Sequence, residues 1–227
     1  MNRILIFGPH PDDIEMGMGG TVLNLVETGF EVYLCDMTNG EPTPMGTVKK
    51  RMQERKKATG ILGVKDRFLI GLKNRFVFDS TESRKKVAEL IRKVKPDIIF
   101  VPQENDAHPD HIATTKIIEA ARFYSKFTKT KWKGQPHYPK RIIYYIASHL
   151  RTVFKPDFLV DISPYMEKKL ELVKAYKSQF IENEKNTRAP EYLRNIAAYY
   201  GRMIGVEYAE GFIMKEIPGF SNLKNFL

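Results

Sequence analysis

Short apolar segments alternate with amphipathic segments along most of the chain. Runs rich in β-branched and aromatic residues predict six strands, at 3–7, 31–37, 67–70, 97–101, 141–147 and 158–160. Apolar residues three and four positions apart predict helices between and after these strands, at about 19–29, 47–62, 87–94, 112–124, 166–173 and 192–203. This alternation favours an α/β fold, in which a mainly parallel sheet is covered by helices on both faces.

The length of the chain, 227 residues, suits one domain spanning residues 1–227. Its apolar runs are far shorter than the roughly 20 residues that a membrane-spanning helix needs. The N-terminus also lacks the long apolar stretch of a secretory signal, so we expect a cytoplasmic protein without a membrane span. The single cysteine, Cys35, cannot form an internal disulfide and is expected to be buried.

The formal net charge is +10, which raises the question of a nucleic-acid partner. The basic residues are spread over several segments with acidic residues between them, and no known nucleic-acid motif surrounds them. We therefore expect no nucleic-acid partner. Most of the charge is assigned to solvated helix faces, and part of it to attraction of an anionic small substrate.

Two short loops stand out because each follows a predicted strand. Gly-Pro-His-Pro-Asp-Asp occupies residues 8–13 after the first strand, and His-Pro-Asp-His occupies residues 108–111 after the fourth. In an open α/β sheet, ligands bind beyond the carboxyl ends of the strands. A hydrolytic zinc site uses three histidine or carboxylate ligands and leaves the fourth position to water. The two loops together therefore predict a zinc site.

The spacing within the loops indicates which residues bind the metal. His10 and Asp13 lie three positions apart in a segment stiffened by proline, so one turn can direct both at one ion, and His111 arrives from the second loop. Asp12 is left free to take a proton from zinc-bound water, which makes it the candidate general base. His108 and Asp110 remain as a candidate imidazole and carboxylate pair beside the leaving nitrogen or behind the metal ligands.

A glycine-rich segment, Gly-Met-Gly-Gly at residues 17–20, is similar to a phosphate-binding loop. The full Gly-x-Gly-x-x-Gly fingerprint is absent, so close packing of a helix on a strand is the favoured interpretation. A non-catalytic nucleotide-binding module stays open as an alternative function. A metal-assisted phosphoesterase or another amidohydrolase is a further alternative, because zinc hydrolysis is chemically permissive.

At these residues the sequence resembles the LmbE/PIG-L family of zinc-dependent N-acetylglucosaminyl deacetylases. The segments at 9–13, 17–21 and 108–111 carry the resemblance most specifically. Further likeness spans nearly the whole chain, at 46–51, 155–158, 160–163, 178–180 and 208–212. The later segments are most similar to the bacillithiol-biosynthesis and diacetylchitobiose deacetylase branches.

The resemblance implies a Rossmann-like three-layer fold and one Zn²⁺ held by His10, Asp13 and His111, with Asp12 as base. It also implies that Asp110 and His108 act as a linked pair. The residues it implies for contact with substrate or product are Arg51, Arg141 and, near the position of an oxyanion-stabilising tyrosine, Tyr192.

The resemblance further implies a homo-oligomer, commonly a hexamer. The implied substrate is a small N-acetylated amino sugar, and the basic residues favour the N-acetylglucosamine-malate conjugate of bacillithiol biosynthesis. Chito-oligosaccharides are the alternative substrate.

Overall fold

The computed structural model describes residues 2–150 and 152–219. Within these ranges, seven strands form one sheet in the order β3-β2-β1-β4-β5-β7-β6. The strands are β1 (Arg3–Gly8), β2 (Glu31–Thr38), β3 (Asp66–Leu72), β4 (Ile98–Pro102), β5 (Arg141–Tyr145), β6 (Phe158–Asp161) and β7 (Ala209–Ile213). The first five strands are parallel, and β7 runs antiparallel to both β5 and β6. The predicted α/β fold with a mainly parallel sheet is confirmed.

Helices cover both faces of this sheet. They are α1 (Asp13–Glu27), α2 (Val48–Leu62), α3 (Thr81–Val94), α4 (Pro109–Tyr124), α5 (Met166–Ala175), α6 (Lys177–Phe180) and α7 (Ala189–Ile204). Side chains alternate between the two faces of a strand, and in β1 both sets are buried. Ile4 and Ile6 belong to the core under α1, α2 and α5, whereas Leu5 and Phe7 belong to the core under α3 and α4. Across the described residues, every helix is too short or too polar to span a bilayer.

All six predicted strands are present, with bounds shifted by no more than two residues, but β7 was not predicted. This strand has only five residues, and Glu210 and Gly211 interrupt its apolar run. It lies between β5 and β6, where its side chains are mostly buried. Tertiary contacts rather than a local pattern therefore determine its conformation.

The glycine-rich segment 17–20 lies inside α1, which begins at Asp13 rather than near residue 19. A Cβ atom on Gly17 would lie 2.5 Å from the Tyr145 ring, and one on Gly20 would lie 2.8 Å from Ile162. The glycines therefore allow α1 to pack closely on its neighbours, as expected. A phosphate-binding loop is not favoured, because the segment is buried within α1 rather than forming a loop.

The middle of α1 is kinked at Met18, whose φ of −147° is not helical. Two backbone amides beside the kink bond to the last strand instead. Glu210 of β7 accepts hydrogen bonds from the backbone nitrogens of Gly20 (3.0 Å) and Thr21 (2.7 Å). Lys169 of α5 donates to the same carboxylate at 2.6 Å. A buried charge pair thus joins α5 and β7 to the start of the second half of α1.

Candidate metal centre

The two loops predicted to bind a metal leave the same edge of the sheet. β1 and β4 are parallel neighbours, with Ile6 opposite Phe100, so their carboxyl ends lie side by side. The loop after β1 leads into α1 at Asp13, and the loop after β4 leads into α4 at Pro109. The proline suits this position because the first turn of a helix has backbone nitrogens without intrahelical partners.

His10, Asp13 and His111 converge at this edge, as the sequence predicts. Asp13 Oδ2 lies 3.0 Å from His10 Nδ1 and 3.4 Å from His111 Nε2. One ligand atom from each of the three residues lies within 4.8 Å of the others, and all three residues are buried. Two imidazole nitrogens and a carboxylate oxygen are a donor set that zinc uses in hydrolytic sites.

The electrostatics of this cluster also suit a cation. Burial lowers the pKa of His10, but hydrogen bonds with Asp110 and Asp13 outweigh burial and raise that pKa to about 9. Burial acts on His111 in the same way, and the Asp13 and Asp106 carboxylates raise its pKa to about 10. The carboxylates therefore attract positive charge to the space between the imidazoles.

His111 Nε2 provides a second indication of a metal. This buried nitrogen makes no hydrogen bond of good geometry within the described part of the chain, and its acceptor neighbour, Asp13 Oδ2, is a candidate ligand itself at 3.4 Å. Buried polar atoms almost always have a partner, and an unpaired one destabilises the fold. A cation bound at Nε2 would supply the missing interaction, so the residues present fit a metal ion.

Asp110 lies behind His10 and supports its imidazole. Its Oδ2 atom is 3.1 Å from His10 Nε2, and its carboxylate also accepts hydrogen bonds from the backbone nitrogens of Arg75 (2.7 Å) and Val77 (3.1 Å). His108 Nδ1 instead accepts a hydrogen bond from the backbone nitrogen of Asp110 at 3.2 Å and so caps α4. One ligand atom each of His10, His108 and Asp110 lies within 4.8 Å of the others, so the linked role of His108 and Asp110 stays a prediction, with His10 as the direct partner of the carboxylate.

Asp106 occupies the equivalent position behind His111, and the sequence analysis missed it. Its Oδ2 atom lies 2.8 Å from His111 Nδ1. Its Oδ1 atom accepts hydrogen bonds from the backbone nitrogens of His108 and His149, each at 3.0 Å. Carboxylates in this position orient a metal-binding imidazole and increase its basicity. Each candidate histidine ligand therefore has its own supporting carboxylate.

His149 is a second residue that the sequence analysis missed. It follows β5, so it reaches the same edge of the sheet as His10 and His111. Its ring lies 4.9 Å from the His111 ring and 5.2 Å from the His108 ring, measured between centroids. The rule that placed the other histidines, a position beyond the carboxyl end of a parallel strand, would have indicated His149 too.

Asp12 lies beside the cluster but outside the set of three. Its φ of 124° is rare for a residue with a side chain, and backbone strain of this kind is concentrated at functional sites. Arg51 of α2, itself 3% exposed, donates from Nη2 to Asp12 Oδ2 at 2.9 Å. Burial raises the pKa of Asp12 to about 7, although the charge of Arg51 acts in the opposite direction.

Arg141 does not reach this site within one chain. It is the first residue of β5 and is paired with Ile98, the first residue of β4. It therefore lies at the amino edge of the sheet, about 13 Å from the carboxyl edge at 3.3 Å per strand residue. The expected contact between Arg141 and substrate is not supported by this position.

Two depressions in the surface meet at the candidate metal centre. The first, called the polar cleft, is lined by residues that include Asp12, Arg51, Asn74, Arg75, His108 and Gln179. The second, called the apolar cavity, is lined largely by Ile146, Leu150, Phe154, Tyr192, Leu193 and Ile196. Asp13, Met16 and His149 line both. The structure therefore brings Arg51 and Tyr192 to opposite sides of the centre.

A mainly parallel α/β sheet with buried histidines and aspartates at its carboxyl edge defines a class of proteins that can hold a catalytic metal. Within this class, the chain belongs to the PIG-L family. The family's sequence pattern, described as GlcNAc-PI de-N-acetylase, matches residues 5–122. The family predicted from the two loops is therefore confirmed.

Relatives extend the similarity over the rest of the chain. The diacetylchitobiose deacetylase of Thermococcus kodakarensis is 33% identical over 96% of this chain and 84% of its own length. A probable N-acetyl-alpha-D-glucosaminyl L-malate deacetylase 2 of Bacillus anthracis is 28% identical over 78% of this chain and 81% of its own length. The crystal structure of the conserved protein TT1542 of Thermus thermophilus covers 97% of both chains, with 33% identity and a TM-score of 0.89.

Proposed function

We propose that this protein is a zinc-dependent hydrolase that removes the acetyl group from an N-acetylglucosamine conjugate. The observation that carries the proposal is the convergence of His10, Asp13 and His111 on one point, with Asp12 beside them but outside the set. The PIG-L family membership and the deacetylase relatives support the same reaction.

His10, Asp13 and His111 would hold the zinc ion, and Asp106 and Asp110 would orient the two imidazoles. Bound zinc polarises a carbonyl oxygen and lowers the pKa of water towards about 7. The two supporting carboxylates also fix which nitrogen of each ring faces Asp13, because the other nitrogen is occupied.

Asp12 is the proton acceptor in this proposal. Its carboxylate is free of the metal set and lines the polar cleft, where an attacking water molecule can reach it. The ion pair with Arg51 holds the carboxylate in place. After water has added to the amide carbon, the proton held by Asp12 is available to the departing amine.

His108 is the proposed stabiliser of the oxyanion. Its Nδ1 atom accepts a hydrogen bond from the backbone of Asp110, so in the neutral ring the hydrogen lies on Nε2. Burial lowers the pKa of His108 to about 4, which keeps the ring neutral at pH 7. A neutral donor in the polar cleft can bond the negative oxygen as it forms.

Two substrates fit the polar cleft, and different observations favour each. Arg51 and Arg75 line the cleft and give it positive charge. This charge suits the carboxylates of an N-acetylglucosamine-malate conjugate. The T. kodakarensis relative, named a diacetylchitobiose deacetylase, instead favours a neutral chito-oligosaccharide. The cytoplasmic location and the hexamer stay predictions.

Acetate release from zinc-loaded protein tests the proposal. The panel contains the malate conjugate, diacetylchitobiose and a generic phosphate ester, and we expect acetate from one of the sugars and no phosphate. Asp12→Asn should lower kcat by about 10²–10⁴-fold, the usual contribution of a general base, without loss of zinc.

Asp66→Asn is the matched control, because Asp66 is exposed at the amino end of β3, far from the metal centre. Wild-type turnover in Asp12→Asn would show that another group accepts the proton. Phosphate release without acetate release would replace the deacetylase by a phosphoesterase.

A further inference from the structure

The apolar cavity extends from the candidate metal centre into the space between β5, β7 and α7. Its volume is about 150 Å³. Its walls include Ile146 and Leu150, which follow β5, and Leu193 and Ile196 on α7. His111 lies on its wall nearest to the metal centre. A cavity with this lining favours an alkyl group over water or a sugar.

The charged residues of the cavity lining outside the candidate metal centre already have partners. Lys169 and Glu210 belong to this part of the lining, and Lys169 donates a hydrogen bond to Glu210 at 2.6 Å. Glu210 also accepts hydrogen bonds from the backbone amides of Gly20 and Thr21. Breaking such a buried pair to bind a charged ligand is costly. Among the described residues, the part of the lining outside the candidate metal centre therefore offers no unpaired charge for a carboxylate or a phosphate.

The polar cleft on the other side of the metal centre has the opposite character. Asn74, Gln179 and Arg75 line it, and their side chains can bond the hydroxyl groups of a sugar. Asp13 and His149 line both spaces, so the two meet at the metal centre.

An amide that reacts at this centre carries two different substituents. Its nitrogen bears the polar sugar, and its carbonyl carbon bears the acyl chain. We propose that the polar cleft holds the sugar while the apolar cavity holds the acyl chain, so that the protein hydrolyses N-acyl groups longer than acetyl. This inference rests on the proposed function and specifies its substrate class as short-chain N-acyl amino sugars.

The reaction is the same hydrolysis with a longer acyl group. Water adds to the carbonyl carbon, the carbon–nitrogen bond breaks, and a proton passes to the departing nitrogen. The products are the free amino sugar and a short-chain carboxylate, so no oxidant or other reactant is needed.

The first experiment compares kcat/KM for N-acetyl-, N-butyryl- and N-hexanoylglucosamine. In a site without the cavity, each added methylene would clash, whereas here we expect the butyryl compound to react within about tenfold of the acetyl compound. Ile196→Trp fills the cavity from α7 and should lower the butyryl-to-acetyl ratio by about tenfold. Tyr199→Trp is the control, because Tyr199 is exposed on the same helix and outside the cavity lining.

The second experiment measures binding without turnover. Acetate, butyrate and hexanoate are titrated into zinc-loaded protein by calorimetry. Burial of each methylene should tighten binding by about fourfold in the wild type, and Ile196→Trp should flatten this series. Equal affinity for the three carboxylates in the wild type would overturn the inference.

The two experiments separate the inference from the proposed function. If acetyl and butyryl sugars are both inert but carboxylate affinity rises with chain length, the deacetylase proposal fails and the assignment of the cavity stands. If the acetyl sugar is hydrolysed but carboxylate affinity does not rise, the cavity assignment fails and the deacetylase proposal stands.

Discussion

The parallel part of the sheet and its antiparallel extension contribute different things to the site. The candidate metal donors and the candidate base come from the loops after β1 and β4 and from the helices that follow them. In the extension, which consists of β7, β6 and α7, strand β7 and helix α7 supply mostly apolar walls. The contrast teaches that reactivity and the proposed selection of the acyl chain lie on separate elements. Substitutions in the apolar walls should therefore leave metal binding intact, and substitutions of the candidate metal donors should leave the apolar walls intact.

Removal of a candidate metal donor is expected to have the largest effect, a loss of zinc affinity. His111→Ala deletes one of three donors, and even the loss of an outer-shell partner changes metal affinity by about 10–100-fold. We therefore expect zinc affinity to fall by more than about 100-fold, as measured by competition with a chelator. His137→Ala is the control, because His137 bonds the carbonyl oxygen of Pro96 away from the centre. Retention of one tightly bound zinc by His111→Ala would exclude this residue as a ligand.

Asp106→Asn tests the carboxylate that supports His111 rather than the His111 imidazole itself. The amide keeps the shape of the side chain but loses the charge that faces His111 Nδ1. Zinc affinity should fall by about 10–100-fold, the usual effect of losing an outer-shell carboxylate. Asp66→Asn, the same substitution at an exposed strand end, should bind zinc like the wild type. An unchanged zinc affinity in Asp106→Asn would leave Asp106 with a structural role only.

Gly17→Ala tests the packing of α1 against Tyr145 of β5, the residue that pairs with Phe212 of β7 in the extension. The new methyl group would lie 2.5 Å from the ring of Tyr145, which is fully buried and donates to the carbonyl oxygen of Phe7. Overpacking of this kind costs about 1–3 kcal/mol in the free energy of unfolding, measurable by urea denaturation. Gly60→Ala is the matched control, since nothing lies within 4 Å of a Cβ at that position in α2. The prediction is wrong if both variants are as stable as the wild type.

Ser80→Ala shows how much a loss of stability alone, at a residue outside the site, changes zinc affinity and acyl selectivity. Ser80 begins α3 with a capping box in which its side chain bonds the amide of Ser83. Loss of such a cap typically costs about 1 kcal/mol. Zinc affinity and acyl selectivity should stay at their wild-type values, and a change in either one would show that the site depends on global stability.

The sequence predicted the parallel part of the molecule better than its extension. The strands that precede the two motif loops are apolar runs with clear boundaries, and His10, Asp13 and His111 lie in loops dense in metal-binding residues. Their convergence followed from one rule about parallel strands. No comparable pattern marks β7, whose conformation depends on pairing with strands about 50 and 70 residues earlier.

The residues that were missed or misplaced have different causes. Asp106 lies only five positions before His111, but no residue pattern distinguishes a supporting carboxylate from an ordinary loop aspartate. His149 follows a predicted strand without a motif around it. Arg141 was assigned through resemblance to relatives, but its place at the start of β5 puts it at the opposite edge of the sheet. The bond between Asp110 and His10 spans 100 positions, which no local pattern reveals.

The contact between Glu210 and the kink of α1 has a consequence for biosynthesis. The amides of Gly20 and Thr21 gain their partner only after residue 210 has left the ribosome, since that carboxylate is 190 and 189 positions away. Closing a loop of this length costs chain entropy before the contact can offset it. The second half of α1, the helix that begins at Asp13, therefore gains this support only after residue 210 has been synthesised.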